Sequence, residues 1–295
     1  MPEPAFLFGQ FVGGLTAAMF LFMIAAGLSL IFGVLRILNF AHGSFYMFGA
    51  YLAWQFMRWL GPGTEYFWLA ALGAATGVAM IGVAIERLLL CRLYRREELY
   101  QLLFTYGFVL ILADIAKIVW GTQQLSVSRP PSLSGSFEIF GTTVPHYNLF
   151  IILLGPSIAL ALWLLMHRTG VGRLIRAAVL DREMLGALGA NVGGLYTIMF
   201  GVGSFLAGLG GALVTPVKSI IPGMDVEVIV EVFIIVVIGG LGSLWGTFLG
   251  AFVFGQVLAF GILIMPRFSI FSVFALMAII LIWRPWGLLG RPLSR

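Results

Sequence analysis

The sequence is poor in charge, cysteine and lysine, and each shortage excludes a class of protein. Charged residues make up 10% of the 295 residues, while hydrophobic residues make up 61%. With a mean hydropathy of +1.06, this balance lies far outside soluble globular domains and predicts an integral membrane protein throughout. The single cysteine, Cys91, excludes a framework of intrachain disulfides.

Motifs that would mark an enzyme are also missing from the sequence. A phosphate-binding loop ends in Gly-Lys-Ser/Thr, and neither Lys117 nor Lys218 completes that motif. The histidines are scattered, with no His-Glu-x-x-His pattern and no cysteine pair, which argues against a catalytic zinc site. We therefore expect no ATP hydrolysis, no catalytic residue, and no metal or cofactor bound by this chain.

What the sequence does contain is a series of apolar runs of the roughly 20 residues that cross a bilayer as a helix. The candidate spans are 8–35, 40–60, 66–90, 99–120, 147–167, 195–216, 228–241, 246–265 and 270–284. The seventh and ninth are short, and 228–241 has the length of part of a broken or re-entrant helix. We predict an all-α polytopic integral membrane protein with about 8–9 transmembrane helices, some broken or short, forming one domain over 1–295.

The basic residues are distributed unevenly between the two ends of these spans. Twelve of them fall on one side, and the other side receives Arg58, Lys117, Arg129, Lys218 and Arg267. Basic residues concentrate on the cytoplasmic side of membrane proteins. We therefore expect the N-terminus outside, the C-terminus inside, and one sizeable outer loop at 121–146 that serves as a connector. The same asymmetry explains the net charge of +5 better than nucleic-acid binding does.

One charged segment interrupts the apolar runs, HRTGVGRLIRAAVLDREMLGALGAN at 167–191. As a helix it would separate its charged side chains from its apolar ones: Arg173, Arg176 and Glu183 opposite Leu174, Ala178, Leu185 and Leu188. Asp181 would fall on the apolar side, so we expect a break into two short helices there. We interpret the segment as a docking surface. The alternative is a solvated loop whose charges only set the orientation.

A polar cluster lies at the start of the second span, in RILNFAHGSFYMFGAYLA at 36–53. It contains Asn39, His42 and Ser44. Polar groups at this depth need partners, so they either pack inside the bundle or face a water-filled path. Asn39 can instead cap the following helix, and the two roles can coexist.

Glycines four residues apart predict closely packed helices later in the chain. Gly242, Gly246 and Gly250 have this spacing in GGLGSLWGTFLG. In a membrane such small residues let two helix backbones approach each other. A phosphate-binding loop would need a preceding strand, which the pattern does not provide.

Acidic residues lie in or beside the spans at two further places. Asp114 and Lys117 are three residues apart and can pair on one helix face, although a proton relay through Asp114 is an alternative. Asp225, Glu227 and Glu231 flank the short seventh span after a Pro-Gly pair. There, either a broken helix presents its N-terminus to a carboxylate, or an outer loop caps a helix.

Another acidic residue, Glu86, lies beside Arg87 at the end of its span that faces the side with twelve basic residues. Long charged side chains in this position can extend to the headgroups while their stems stay in the bilayer. We expect Glu86 to do so.

Three stretches resemble the permease subunits of branched-chain amino acid ABC importers, of the shorter LivH type. They are RILNFAHGSFYMFGAYLA, the run from Thr169 through RLIRAAVLDREMLGALGAN, and VVIGGLGSLWGTFLGAFVFG. The resemblance covers nearly the whole chain, with the motifs in the same order. It implies the ABC importer permease fold in a bacterial inner membrane.

The resemblance also implies partners and site residues. The partners are a second, related permease of the LivM type, two ATP-binding subunits that hold ATP and Mg, and an external solute-binding protein. Docking to the ATPase is carried over to the positions on the recurring pattern: Arg173, Arg176, Ala177, Glu183, Gly186 and Gly189. The helices after Asn39 and Gly242 would line or flank the translocation path, where the polar candidates are Asn39, His42, Ser44 and Ser204.

Other functions remain open at this point. Within the resembled family the substrate can be a branched-chain or other hydrophobic amino acid, urea or a short amide. A secondary transporter or channel would use acids deep in the spans, for which Asp114 is the candidate, and would leave 167–191 unexplained. An intramembrane enzyme would need a nucleophile and base, and no spacing in the sequence indicates such a pair.

Overall fold

The computed structural model describes residues 4–61, 63–94, 96–264 and 266–290. Its helices are α1 Pro4–Leu35, α2 Ala41–Leu60, α3 Phe67–Leu88, α4 Glu98–Trp120, α5 His146–Arg168, α6 Gly170–Leu180, α7 Arg182–Ala187, α8 Val192–Val214, α9 Met224–Gly239, α10 Leu244–Ile264 and α11 Ser269–Trp283. Every predicted span coincides with one of them, so the predicted all-α polytopic fold is confirmed. Six helices in the described ranges are long and apolar enough to cross a membrane.

The outer loop contains more structure than the predicted connector. Two short strands, β1 (Ser136–Ile139) and β2 (Thr142–Pro145), form an antiparallel hairpin in which Phe137 pairs with Val144. The Thr142 hydroxyl donates to the Ala5 carbonyl at the start of α1. The hairpin therefore fixes one end of the bundle, which we call the hairpin end.

The opposite end of the bundle carries most of the arginines and the short helices α6 and α7. We call it the arginine-rich end. Its described arginines are Arg36, Arg87, Arg92, Arg96, Arg168, Arg173, Arg176, Arg182 and Arg284. Three others assigned to this side from the sequence, Arg95, Arg291 and Arg295, lie outside the described residues.

The long helix α1 forms the centre of the bundle. It packs against α5, α8, α9 and α10, and 83% of the residues in its most apolar stretch of 18 are buried. A helix that is apolar on all sides is typical of such a central position. At 1.5 Å per residue its 32 residues extend about 48 Å, which provides a ruler for depth in the bundle.

Glycines bring α8 into backbone contact with α1 and α2. A Cβ added at Gly203 would lie 2.8 Å from the Gly27 carbonyl oxygen, and one added at Gly49 would lie 2.7 Å from the Gly208 Cα. No side chain fits at these crossings. Close backbone approach of this kind replaces the hydrophobic driving force that is absent between helices in lipid.

Candidate functional site

The charged segment at the arginine-rich end folds as two short helices, as predicted. Asp181 ends α6 and begins α7 with extended backbone angles, φ −153° and ψ 101°. Its Oδ1 accepts hydrogen bonds from the Glu183 and Met184 amides at 3.0 and 2.9 Å. Aspartate is a strong helix N-cap, which explains why the break occurs at this residue.

The first of these two helices, α6, is held against the end of α5 by several contacts. The Thr169 hydroxyl caps α6 by accepting from the Gly172 amide at 3.0 Å, and it donates to the Leu165 carbonyl at 2.6 Å. Gly172 packs directly on the Met166 carbonyl, and the Arg176 guanidinium donates to that same oxygen. Together these contacts fix the start of α6 to the last turn of α5.

The outer surface of α6 and α7 exposes several large apolar side chains. Leu180 is 85% exposed, Leu188 75% and Met184 62%. Of the four residues that the sequence places on the apolar side, Ala178 and Leu185 are buried, together with Gly172 and Ile175, whereas Leu174 and Leu188 are exposed. Exposed apolar groups among charges are typical of a protein interaction surface.

The predicted docking residues surround this apolar surface. Arg173, Arg176, Glu183, Gly186 and Gly189 are exposed, and Ala177 is half-buried. A Cβ added at Gly186 would meet only Val192 at 4.0 Å, so this glycine leaves open space beside α7. Gly189 has φ +84°, a conformation that suits glycine, and it ends the segment before Asn191 caps α8.

A polar groove of about 480 Å³ separates these helices from the end of α1. Its charged lining combines both signs: Arg36, Arg96, Glu98, Asp181, Arg182 and Glu183. Arg36 adopts a left-handed conformation, φ 57°, where α1 ends. Its amide still donates to the Phe32 carbonyl at 2.9 Å, so the strained residue closes the helix.

A buried carboxylate connects α8 to the neighbouring loop. Glu86 is 1% exposed, and it accepts from the Thr197 hydroxyl at 2.7 Å and from the Tyr94 hydroxyl. The expectation that Glu86 extends to the headgroups is therefore wrong, because these two hydroxyls satisfy it inside the bundle. Burial, followed by the hydrogen bond to Glu86, raises the pKa of Tyr94 far above its usual value.

Two helices begin in the interior of the bundle rather than at its ends. In the first turn of α2, His42 Nε2 lies 2.9 Å from the Ile24 carbonyl of α1. Ile24 precedes the end of α1 by eleven residues, or about 16 Å, which is half the thickness of a roughly 30 Å hydrocarbon core. Helix α9 begins at the same depth, since Gly43 packs directly on the Asp225 carbonyl group.

The side chains at this meeting point, which we call the helix junction, are buried and only partly hydrogen-bonded. The Ser44 hydroxyl donates to Asp225 Oδ2 at 2.9 Å, and Asp225 Oδ1 has no partner in the described chain. His42 Nδ1 is likewise unpartnered there. Because a carbonyl only accepts, the contact with Ile24 places the imidazole proton on Nε2 and leaves Nδ1 as a bare acceptor.

The other predicted path residues lie around the same helices. Asn39 is 1% exposed and does not cap α2, because its amide atoms have no hydrogen bond in the described residues and Phe40 occupies the cap position. Ser204 is fully buried where α8 packs on Gly82 of α3. All four predicted path residues therefore lie in the interior of this chain, with Asn39, His42 and Ser44 near the junction and Ser204 on α8.

The three spaced glycines occupy two different settings. Gly246 and Gly250 face α9, where a Cβ at Gly250 would lie 2.6 Å from the Ile235 carbonyl oxygen. Gly242 lies in the turn before α10 with φ +79°, and its Cα is close to Gly33 of α1. The first two glycines thus allow α10 to approach α9, and the third permits the turn.

The acid assigned to a secondary transporter is paired locally. Asp114 Oδ1 lies 3.0 Å from Lys117 Nζ, and the two side chains are 70% and 47% exposed. The predicted pair on one helix face is confirmed. Within the described ranges no group of three metal-ligating side chains is found.

Comparisons with known proteins agree with this architecture. The family model for the branched-chain amino acid transport system permease component matches residues 10–283. The chain is 28% identical to the high-affinity branched-chain amino acid transport system permease protein BraD of Pseudomonas aeruginosa, covering 99% of this chain and 98% of BraD. No solved structure matches the chain.

Two further relatives have related names. The permease protein LivH of Salmonella typhimurium is 27% identical over 96% of this chain and 95% of LivH. LivM of the same organism is 25% identical over 95% of this chain and 69% of LivM.

Proposed function

The chain belongs to the branched-chain amino acid transport system permease family, and we propose that it is a permease subunit of an ABC importer for branched-chain or other hydrophobic amino acids. The substrate in this proposal follows from the similarity to BraD and LivH, which are permease proteins of branched-chain amino acid transport systems. We further propose the bacterial inner membrane as its location, with the N-terminus outside and the C-terminus in the cytoplasm.

The observation that carries this proposal is the apolar surface of α6 and α7 at the arginine-rich end. Leucine and methionine side chains with exposures of 62–85% project from a segment that also carries arginines and acids. In water such a surface needs a partner protein. A cytoplasmic ATPase subunit is the partner that fits an ABC importer, with Arg173, Arg176, Ala177, Glu183, Gly186 and Gly189 in the contact.

The remaining partners follow from the same proposal. The similarity to both LivH and LivM supports a transporter with two related permeases. ATP and Mg would bind to two ATP-binding subunits, and hydrolysis would occur there rather than on this chain. A solute-binding protein would deliver substrate at the hairpin end.

Transmission of motion from the ATPase would pass through α6 and α7 to the bundle. Thr169, Gly172 and Arg176 fix α6 to α5. The Asn191 side chain caps α8, accepting from the Gly194 amide at 2.8 Å, and Thr197 bonds to Glu86 of α3. When the ATPases close on ATP, displacement of α6 and α7 would therefore move α5, α8 and α3. The path would then open alternately to the two sides of the membrane.

The path itself would pass beside the helix junction, where Asn39, His42 and Ser44 lie, with Ser204 on the adjoining α8. These groups combine buried polar atoms with largely apolar surroundings. Such a setting suits an aliphatic solute with a polar head group better than a sugar or a multivalent ion.

The test is purification from membranes followed by uptake in vesicles. We expect an ATPase subunit and a second permease to purify with this chain, and uptake of L-leucine to require ATP on the side of α6 and α7. A variant with Leu180→Asp and Met184→Asp should release the ATPase, while Phe140→Asp in the turn of the hairpin, where the side chain is 79% exposed, should keep it. Solute uptake by the chain alone, without ATP, would contradict the proposal and favour a secondary transporter.

A further inference from the structure

The half-helix α9 carries carboxylates on a face that the chain leaves uncovered. Asp225, Val228, Ile229, Val232 and Ile235 point into the bundle. The opposite stripe is open: Val226 is 56% exposed and Val230 44%, with Glu227 exposed and Glu231 half-buried beside them. Glu227 and Glu231 are four residues apart and thus lie one above the other on this stripe.

The depth of this stripe decides what it can face. Asp225 lies at the helix junction, about 16 Å from the end of α1, and α9 continues from there towards the arginine-rich end. Glu227 and Glu231 therefore lie within the hydrocarbon thickness. A carboxylate turned towards lipid at that depth is strongly disfavoured, so the stripe faces water or a polar partner.

The same helix turn holds an unsatisfied carboxylate oxygen. Asp225 is 1% exposed and its Oδ1 has no partner in the described chain. The Tyr51 hydroxyl is also buried and unpartnered there, and the Asp225 charge is close enough to interact with it electrostatically. Tyr51 in turn stacks on Trp120 at a centroid distance of 4.9 Å. A carboxylate oxygen and a tyrosine hydroxyl are thus both buried without a hydrogen-bond partner in the described chain.

The group that would satisfy these buried polar atoms is a cation rather than an anion. Asp225, Glu227 and Glu231 bring three carboxylates to two turns of one helix, and none of them forms an ion pair within the described ranges. Lys218 is close enough to interact electrostatically with Glu231 but does not pair with it. The positive N-terminal end of α9 favours the charged form of the two acids in its first turn, Asp225 and Glu227. A primary ammonium group supplies three donors and a positive charge, which match a carboxylate oxygen, a hydroxyl and aromatic faces.

We propose that Asp225 at the helix junction, together with the Tyr51 hydroxyl, recognises the ammonium group of a zwitterionic amino acid, and that Glu227 and Glu231 on the opposite, open stripe of α9 attract this group towards the junction. The proposal rests on the importer function above and deepens it, because urea and short amides lack an ammonium group. It also assigns the open stripe of α9 to the wall of the path.

Uptake by the complete transporter tests the ammonium assignment. The complex with both permeases, ATPases and binding protein is reconstituted in vesicles, and uptake of L-leucine and of acetamide is measured. Asp225→Asn keeps an acceptor for Ser44, and Glu231→Gln keeps the side-chain shape. We expect each to lower L-leucine uptake at least about 10-fold while assembly and ATPase activity remain. Glu138→Gln, on the exposed hairpin strand β1, is the matched control and should not change uptake.

The accessibility of the stripe is measured separately. In a Cys91→Ser background, Val230→Cys should react with a water-soluble cationic thiol reagent, and L-leucine under turnover should slow that reaction. Leu160→Cys, 53% exposed in the middle of α5, should stay unreactive because it faces lipid. Equal inertness of the two cysteines would overturn the assignment of the stripe to the path.

The two proposals fail in different ways. ATP-driven L-leucine uptake that is unchanged by Asp225→Asn and Glu231→Gln overturns the ammonium assignment alone. ATP-driven uptake of acetamide but not of L-leucine overturns the ammonium assignment and the amino acid substrate, while ATP-driven import by the complex stands. Absence of ATP-driven uptake by the wild-type complex removes both.

Discussion

The Ser44 hydroxyl donates to Asp225 Oδ2 at 2.9 Å, across 181 residues of sequence and between the first turns of two helices that begin inside the bundle. Gly43 makes this contact possible, since its missing side chain lets α2 lie directly on the backbone of α9. The positive ends of both helices thus meet beside one carboxylate. This arrangement favours a negative charge at this position inside the bundle.

Replacing Ser44 by alanine is expected to destabilise the protein through Asp225. The carboxylate would lose its only hydrogen bond in the described chain, and an unsatisfied buried acceptor costs about 1–3 kcal/mol. Ser157→Ala on α5, whose hydroxyl donates only to the Leu153 carbonyl of its own helix, should change little. Thermal unfolding of both variants in detergent measures the difference. Equal midpoints would show that the bond to Asp225 contributes nothing.

Side-chain addition at a helix crossing should be far more damaging than at an open glycine. At Gly49 a Cβ would lie 2.7 Å from the Gly208 Cα, whereas nothing lies within 4 Å at Gly107 of α4. Overpacking of this kind costs about 1–3 kcal/mol or more. We expect Gly49→Val to lower the yield of folded protein and the unfolding midpoint, with Gly107→Val close to wild type in size-exclusion and thermal assays.

The docking segment offers a variant that should leave the chain intact and affect only its partner. A Cβ at Gly186 would approach only Val192, at 4.0 Å, and the residue is exposed, so the side chain of Gly186→Trp can extend into solvent. We expect normal insertion and stability but ATP hydrolysis that is uncoupled from uptake, and the same for Glu183→Lys. Comparing the ATPase rate with uptake in vesicles measures the coupling. Normal coupling by both variants would rule out α7 as the contact.

Local patterns were sufficient to predict the helices, the break at Asp181 and the Asp114–Lys117 pair. Each depends on residues within a few positions of one another: apolar length, an aspartate cap, and a three-residue spacing. Residues that are near neighbours in the sequence therefore determine these three features. The docking and path roles depend on partners, and they stay predictions.

Long-range partners were beyond the same reasoning. Thr197 satisfies Glu86 across 111 residues, and Ser44 meets Asp225 across 181. No spacing indicates these pairs, because they arise only when α8 packs on α3 and α9 packs on α2. The weak signal available was an acidic residue within or beside an apolar run, since such a residue needs a partner somewhere in the bundle.

Arg36 provides a measure of backbone strain at the end of α1. Its φ of 57° suits glycine, while alanine would keep the strain and lose the side chain. We expect Arg36→Gly to be more stable than Arg36→Ala by about 1 kcal/mol, the cost of a left-handed non-glycine residue. The comparison of the two variants cancels the loss of the guanidinium. Indistinguishable unfolding midpoints would show that this turn relaxes in solution.

The Glu86 network gives a prediction that includes pH. Tyr94→Phe removes one of the two hydroxyls that satisfy a buried carboxylate, at an expected cost of about 1–3 kcal/mol. Burial and the bond to Glu86 raise the pKa of Tyr94 in the folded protein above the 10.0 of a free tyrosine. The stabilisation is therefore fully present below pH 10 and is lost as pH rises above it, because only the unfolded chain ionises there. Tyr100→Phe, on an exposed residue of α4, is the control. Midpoints of the wild type and Tyr94→Phe that differ at pH 7 and converge above pH 10 would support this account, and a constant difference would contradict it.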